Sequence, residues 1–187
     1  MRDGSPFPAS SHGVFENYIN KRFQQDRSLL AERFPLDPDS IRRVAEELAY
    51  CMIADPGLGL SPSRDEIENS MQRLGFSRGS EVRLAIDALV FIKLARSEED
   101  TSQSSPSFTF AHRRFQEYFA TCLVLRESAR VAPSALLQDG RWRETAVTIC
   151  QTQNHQSILP LIQEADEFLD TVLATTNSPL GVPAVQV

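Results

Sequence analysis

Apolar residues between positions 14 and 34 recur every three to four places, at Phe15, Tyr18, Ile19, Phe23, Leu29, Leu30 and Phe34, with polar residues between them. That spacing collects them on one face of a helix, and Pro35 ends it because the residue before a proline avoids the α region. A second helix is expected over 38–54. Asp37 can cap it, Pro38 suits its first position, and Ile41, Val44, Ala45, Leu48, Ala49 and Met52 form its stripe before Pro56-Gly57 stops it. A third, short helix starts near Ser63, where Ser63 and Glu66 have the spacing of a capping box; Ile67, Met71 and Leu74 face inward and Gly75 suits its end. The fourth, over 80–93, is apolar around most of its circumference, the pattern of a helix buried on most sides.

The pattern then changes period. Residues 94–96 and 107–110 read as two short antiparallel strands, joined by an acidic, Ser-rich loop over 97–106. Helix, short helix, buried helix and hairpin is the order of a winged helix, here spanning 37–111. Helical patterning resumes over 112–130, 142–152 and 154–174. The expected fold is therefore mainly α: a winged helix with a short β-hairpin, followed by further helices. In domain terms, residues 14–36 form a linking helix, 37–111 the winged helix and 112–174 a helical region. The stretches 1–13 and 175–187, rich in Gly, Ser and Pro or broken by Pro179, Gly181 and Pro183, read as disordered tails.

Composition removes several functions. With 187 residues, 41% of them apolar, the chain can build a real core. The longest apolar run, 88–94, is interrupted by Lys93 and falls far short of the roughly 20 residues a membrane helix needs, so no membrane role is expected. The start of the chain has no apolar secretory segment. Cys51, Cys122 and Cys150 are odd in number and widely spaced, which suits reduced, buried thiols in the cytoplasm, and no CxxC pair suggests zinc. A net charge of −6 works against nucleic acid, whose binding depends on neutralised phosphates. There is no Gly-Lys-Ser/Thr sequence, hence no P-loop, and neither G-x-S-x-G nor H-E-x-x-H occurs. No catalytic residues are expected, and the chain is read as a non-enzyme.

The most informative stretch is 108–120, in which Phe108, Phe110, His112, Phe115-Gln116-Glu117-Tyr118 and Ala120 fall into the pattern F-x-F-x-H-x-x-F-Q-E-Y-x-A. It resembles the signature of NACHT-type STAND NTPases, nucleotide-switched signalling and immune proteins. The helix carrying Tyr18, the Ala45-Glu46-Glu47-Leu48-Ala49 segment and Phe91-Ile92-Lys93-Leu94 before the hairpin follow that family's order of parts. The resemblance covers about residues 14–150 and implies that the helices after the hairpin, 112–174, are the start of an α-helical superhelical arm. It implies that His112 reaches the β-phosphate of ADP held in a separate nucleotide-binding domain, clamping a closed state that ATP exchange releases. His112 is then the one cofactor-binding residue, ADP or ATP is shared with a partner domain, and no cofactor is bound by this chain alone. The implied partners are that cognate domain and further helical repeats, and the implied role is signal transduction, innate immunity included.

Residue chemistry adds its own reasons. The first turn of a helix has unpaired N–H groups and a partial positive charge, which attract phosphate, and an imidazole there can donate to a phosphate oxygen. The plainer alternative is that His112 only caps its helix. Phe115, Phe119 and Leu123 form one packing stripe, Phe108 and Phe110 share a strand face, Arg113 and Glu117 are spaced for an ion pair, and Trp142 is suited to anchor a later helix. Two other functions fit the same elements: a winged-helix transcription regulator, disfavoured by an apolar fourth helix and by Glu98, Glu99 and Asp100 in the wing, and a non-enzymatic helical adaptor.

Overall fold

Helix α1 (Ser11–Gln25) opens the described part of the chain, which in this computed structural model comprises residues 10–98 and 105–176. The Ser10 hydroxyl accepts the Gly13 N–H at 3.2 Å, so residues 10–13 are a helix start and not part of a tail; the remaining tail residues, 1–9 and 177–187, lie outside the described residues. The single helix expected over 14–34 is two, because the chain turns at Asp26 (φ −98°, ψ 6°) before α2 (Arg27–Arg33).

Local signals set the next elements. Helix α3 (Pro38–Ala54) starts where the Asp37 carboxylate accepts the Ser40 N–H at 2.9 Å, with proline in its first turn. Helix α4 (Arg64–Arg73) has the expected capping box, with the Ser63 N–H on Glu66 at 2.7 Å and the Glu66 N–H on Ser63 at 3.3 Å. Its end is a Schellman turn: Gly75, at φ 83°, donates to Gln72 at 3.1 Å and Phe76 donates to Met71 at 2.8 Å. Helix α5 (Glu81–Phe91) ends the same way, with Lys93 instead of glycine in the left-handed conformation (φ 63°) and Leu94 donating to Leu89 at 2.9 Å.

That turn delivers the chain to β1 (Ala95–Glu98), which pairs antiparallel with β2 (Ser107–Phe110), Ala95 opposite Phe110 and Glu98 opposite Ser107. A bridge between Ser63 and Ser107 adds the segment before α4 to the hairpin, through Phe108 N–H on Pro62 (2.8 Å) and Arg64 N–H on Pro106 (3.0 Å). Glu98 closes β1, while Glu99 and Asp100 lie outside the described residues. Helix α6 (Arg113–Arg126) follows β2 directly.

The chain divides into two compact units, 1–130 and 131–187. In the first, α3 is the central element and packs chiefly on α6, then on α5 and α4. This is why α6, expected to open an arm, falls in the same unit as the hairpin that precedes it. Ile41, Val44, Leu48, Ile67, Ile86, Leu89, Phe108, Phe119 and Leu123 are fully buried. The second unit packs α7 (Pro133–Gln138) on α8 (Arg143–Thr152) and on α9 (His155–Thr176), whose first turn is capped by Asn154 accepting the Ser157 N–H at 3.0 Å. Trp142, just before α8, is buried. Cys51 is buried, but Cys122 is only partly so and Cys150 is exposed, which corrects the expectation of three buried thiols: Cys150 faces away from the Thr145 and Thr148 side of α8. No described helix is long and apolar enough to cross a membrane.

Candidate functional site

The hairpin feeds α6 without a spacer. Ala111 extends the ladder by donating to the Leu94 carbonyl at 2.9 Å, and His112, in extended conformation (φ −145°, ψ 138°), is the N-cap of α6. Its Nδ1 accepts the Arg114 N–H at 3.1 Å, and its carbonyl accepts the Phe115 N–H at 2.9 Å. The imidazole is exposed. A neutral imidazole whose Nδ1 accepts must carry its proton on Nε2. The cap therefore fixes the tautomer and leaves Nε2–H as a donor with no partner among the described residues. Capping and phosphate contact, posed as alternatives by the sequence, are compatible: they use opposite nitrogens of one ring.

Two arginines flank the ring in the first turn. Arg113 Nε and the Arg114 guanidinium each hold the Glu117 carboxylate at 3.0 Å, the first being the expected i, i+4 pair.

An aromatic floor completes the surface. His112 lies 6.0 Å from Phe115, centroid to centroid; Phe115 stacks on Tyr18 (5.5 Å) and meets Phe15 edge-on (6.0 Å). Helix α1 thus supplies two rings that the sequence pattern assigned simply to an apolar stripe, and Tyr18 remains 50% exposed. Deeper along the same interface, His12 stacks on Tyr118 at 4.8 Å, and the Tyr118 hydroxyl accepts from Arg42, which also donates to Asn20. Burial pushes the Cys122 thiol up to about 11 and the Tyr118 phenol upward as well, so both stay neutral.

Beneath α6 lies a buried ionic group. The Glu46 carboxylate takes a hydrogen bond from Arg126 and has Arg42 at 3.7 Å. Desolvation raises its pKa, with the two arginines opposing. This pair ties α3 to α6 and so fixes the helix whose N-cap is His112.

The surface of α4 and α5 is where a DNA-reading winged helix would present cations. Arg83 is held by Glu68 (2.6 Å) and Asp65 (3.3 Å), and Arg64 by Asp87 (2.8 Å). Each guanidinium already faces a carboxylate, which leaves little positive potential for phosphate. Among the described residues no cluster of three or more His, Cys, Asp or Glu side chains could hold a metal ion. No family model, curated protein or solved structure matches the chain.

Proposed function

We propose that this chain is a regulatory module of a NACHT-type STAND signalling ATPase. In this reading α3 to β2 form a winged helix, the helices after it begin a superhelical arm, and the nucleotide sits in a separate P-loop domain. His112 donates its Nε2–H to the β-phosphate of ADP there and stabilises the closed, inactive state. ATP exchange breaks the contact and frees the arm, passing nucleotide status to a sensor in a cytoplasmic signalling or defence response. The module catalyses nothing itself; it biases a two-state equilibrium by one polar contact.

The observation that carries this reading is the exposed His112 ring with Nδ1 committed to its own helix and Nε2–H pointing nowhere within the described residues. The F-x-F-x-H-x-x-F-Q-E-Y-x-A pattern supports it. The carboxylate-bound arginines of α4 and α5 speak against the transcription-regulator alternative.

The test is ADP release from a P-loop nucleotide-binding domain mixed with the chain. A hydrogen bond to a charged oxygen contributes roughly 1.5–3 kcal/mol, so the chain should slow release by about 10–100-fold and His112→Ala should abolish the effect. Equal release rates with and without the chain refute the proposal.

A further inference from the structure

Helix α9 carries two kinds of surface along one stripe. Leu161, near its start, is buried, and α9 packs on α7. At 3.6 residues per turn the same stripe continues through Phe168, Leu169, Val172 and Leu173, yet these four are between 41% and 56% exposed. Four large apolar side chains open on one helix face within six residues are a docking surface in the making, since burying such area is favourable by about 25 cal/mol per Å².

Charge says what can cover it. Helical spacing places Glu164 on one flank of the stripe and Asp166 and Asp170 on the other, and all three side chains reach solvent at least in part. After Arg143 the chain contains no Lys or Arg at all. A second copy would oppose carboxylate to carboxylate. Residues 177–187 contain no charged side chain to answer the acids. Neither supplies cations to the acidic flanks.

We infer that the exposed half of α9 binds an amphipathic helix whose apolar stripe is flanked by Lys or Arg. The apolar stripe supplies affinity and the carboxylate rails fix partner choice, as flanking charges do in paired helices. This inference is independent of the contact assigned to His112.

The probes are two fluorescently labelled 21-residue amphipathic peptides with identical Leu/Ile stripes, one flanked by Lys and one by Glu, titrated with the full chain by anisotropy. The Lys-flanked peptide should bind at least tenfold more tightly, and its affinity should fall as salt rises. Asp166→Lys with Asp170→Lys should reverse the order of the two peptides. Leu169→Ser with Leu173→Ser, substitutions at exposed positions, should abolish binding while the circular dichroism spectrum stays unchanged. Equal affinity for both peptides, no binding of either, binding that survives the Leu→Ser pair, or self-association of the chain through α9 would each overturn the inference.

Discussion

Replacing Arg126 by Met probes the joint that holds α6, and with it His112, against α3. Glu46 is buried, and its carboxylate has one hydrogen bond, from Arg126, and one longer ionic neighbour, Arg42 at 3.7 Å. Methionine keeps most of the apolar stem of arginine but removes the hydrogen bond, leaving a desolvated carboxylate with a single cation beyond hydrogen-bonding range. A hydrogen bond to a charged group contributes about 1.5–3 kcal/mol, and Arg126 is 45% exposed, so water screens part of the loss. The expected destabilisation at pH 8 is about 2 kcal/mol, or roughly 6 °C in Tm. The pH dependence carries the sharper information. The folded-state pKa of Glu46 is already raised by burial, so the folded chain binds a proton that the unfolded chain releases, and ionisation of this group lowers stability as pH rises above the ordinary carboxylate range. Losing Arg126 enlarges that effect. Urea unfolding followed by circular dichroism should show the variant's deficit largest at pH 8 and smaller at pH 5, since the raised pKa of Glu46 favours its neutral form as pH falls. Adding Glu46→Gln to Arg126→Met should remove the extra pH dependence. A deficit equal at both pH values, or below about 0.5 kcal/mol, would mean that Glu46 is effectively solvated and that the joint is not electrostatic.

Three further outcomes are expected. Phe108→Ala, at a fully buried ring set edge-on to Phe110 at 5.2 Å, should cost about 3–5 kcal/mol in chemical denaturation; a loss under 1 kcal/mol would contradict the packing of the hairpin on the core. Lys93→Gly should stabilise the chain by roughly 0.5–1 kcal/mol, because glycine adopts the left-handed backbone of that Schellman turn without a Cβ penalty, and unchanged or lower stability would count against the turn. His12, stacked on Tyr118, has its pKa lowered by burial, with Arg42 adding to the effect and Glu16 opposing it. The unfolded chain therefore takes up a proton first as pH falls, and stability is lost below about pH 6.5. His12→Phe should flatten that acid limb relative to wild type, and an identical limb in both proteins would exclude His12 as its source.

The parts of this structure that were legible in the sequence are those written within four residues. The Asp37 cap, the Ser63–Glu66 capping box, the Gly75 turn and the Arg113–Glu117 pair all join near neighbours, and each appears where spacing put it. Elements failed to show when their cause was tertiary or their length too short for a period. The break at Asp26 interrupts a stripe that runs on across it. Helix α7 has six residues, too few to repeat, although Pro133 at its start was a usable signal. Composition assigns Ser10 to a tail, whereas its hydroxyl caps α1. The dominance of α3–α6 packing rests on side chains some eighty positions apart, such as Glu46 and Arg126.

The candidate site divides along the same line. His112 stood out because its neighbours form a recognisable pattern. The tautomer is set within its own helix start, by the Arg114 N–H, whereas the aromatic floor from Phe15 and Tyr18 required α1 to be brought against α6, which no local pattern encodes. The local cap is what lets one ring hold a helix start and still offer a proton.

His112→Asn separates the two uses of the ring. Asparagine is a strong N-cap, so the helix start should be kept and Tm should change by less than about 0.5 kcal/mol equivalent, while the outward Nε2–H is gone. The decisive measurement is the rate of ADP release from a P-loop domain in the presence of this variant. Release should be as fast as with no chain added, from a protein as stable as wild type. Release slowed to the wild-type extent would show that His112 is a cap and nothing more.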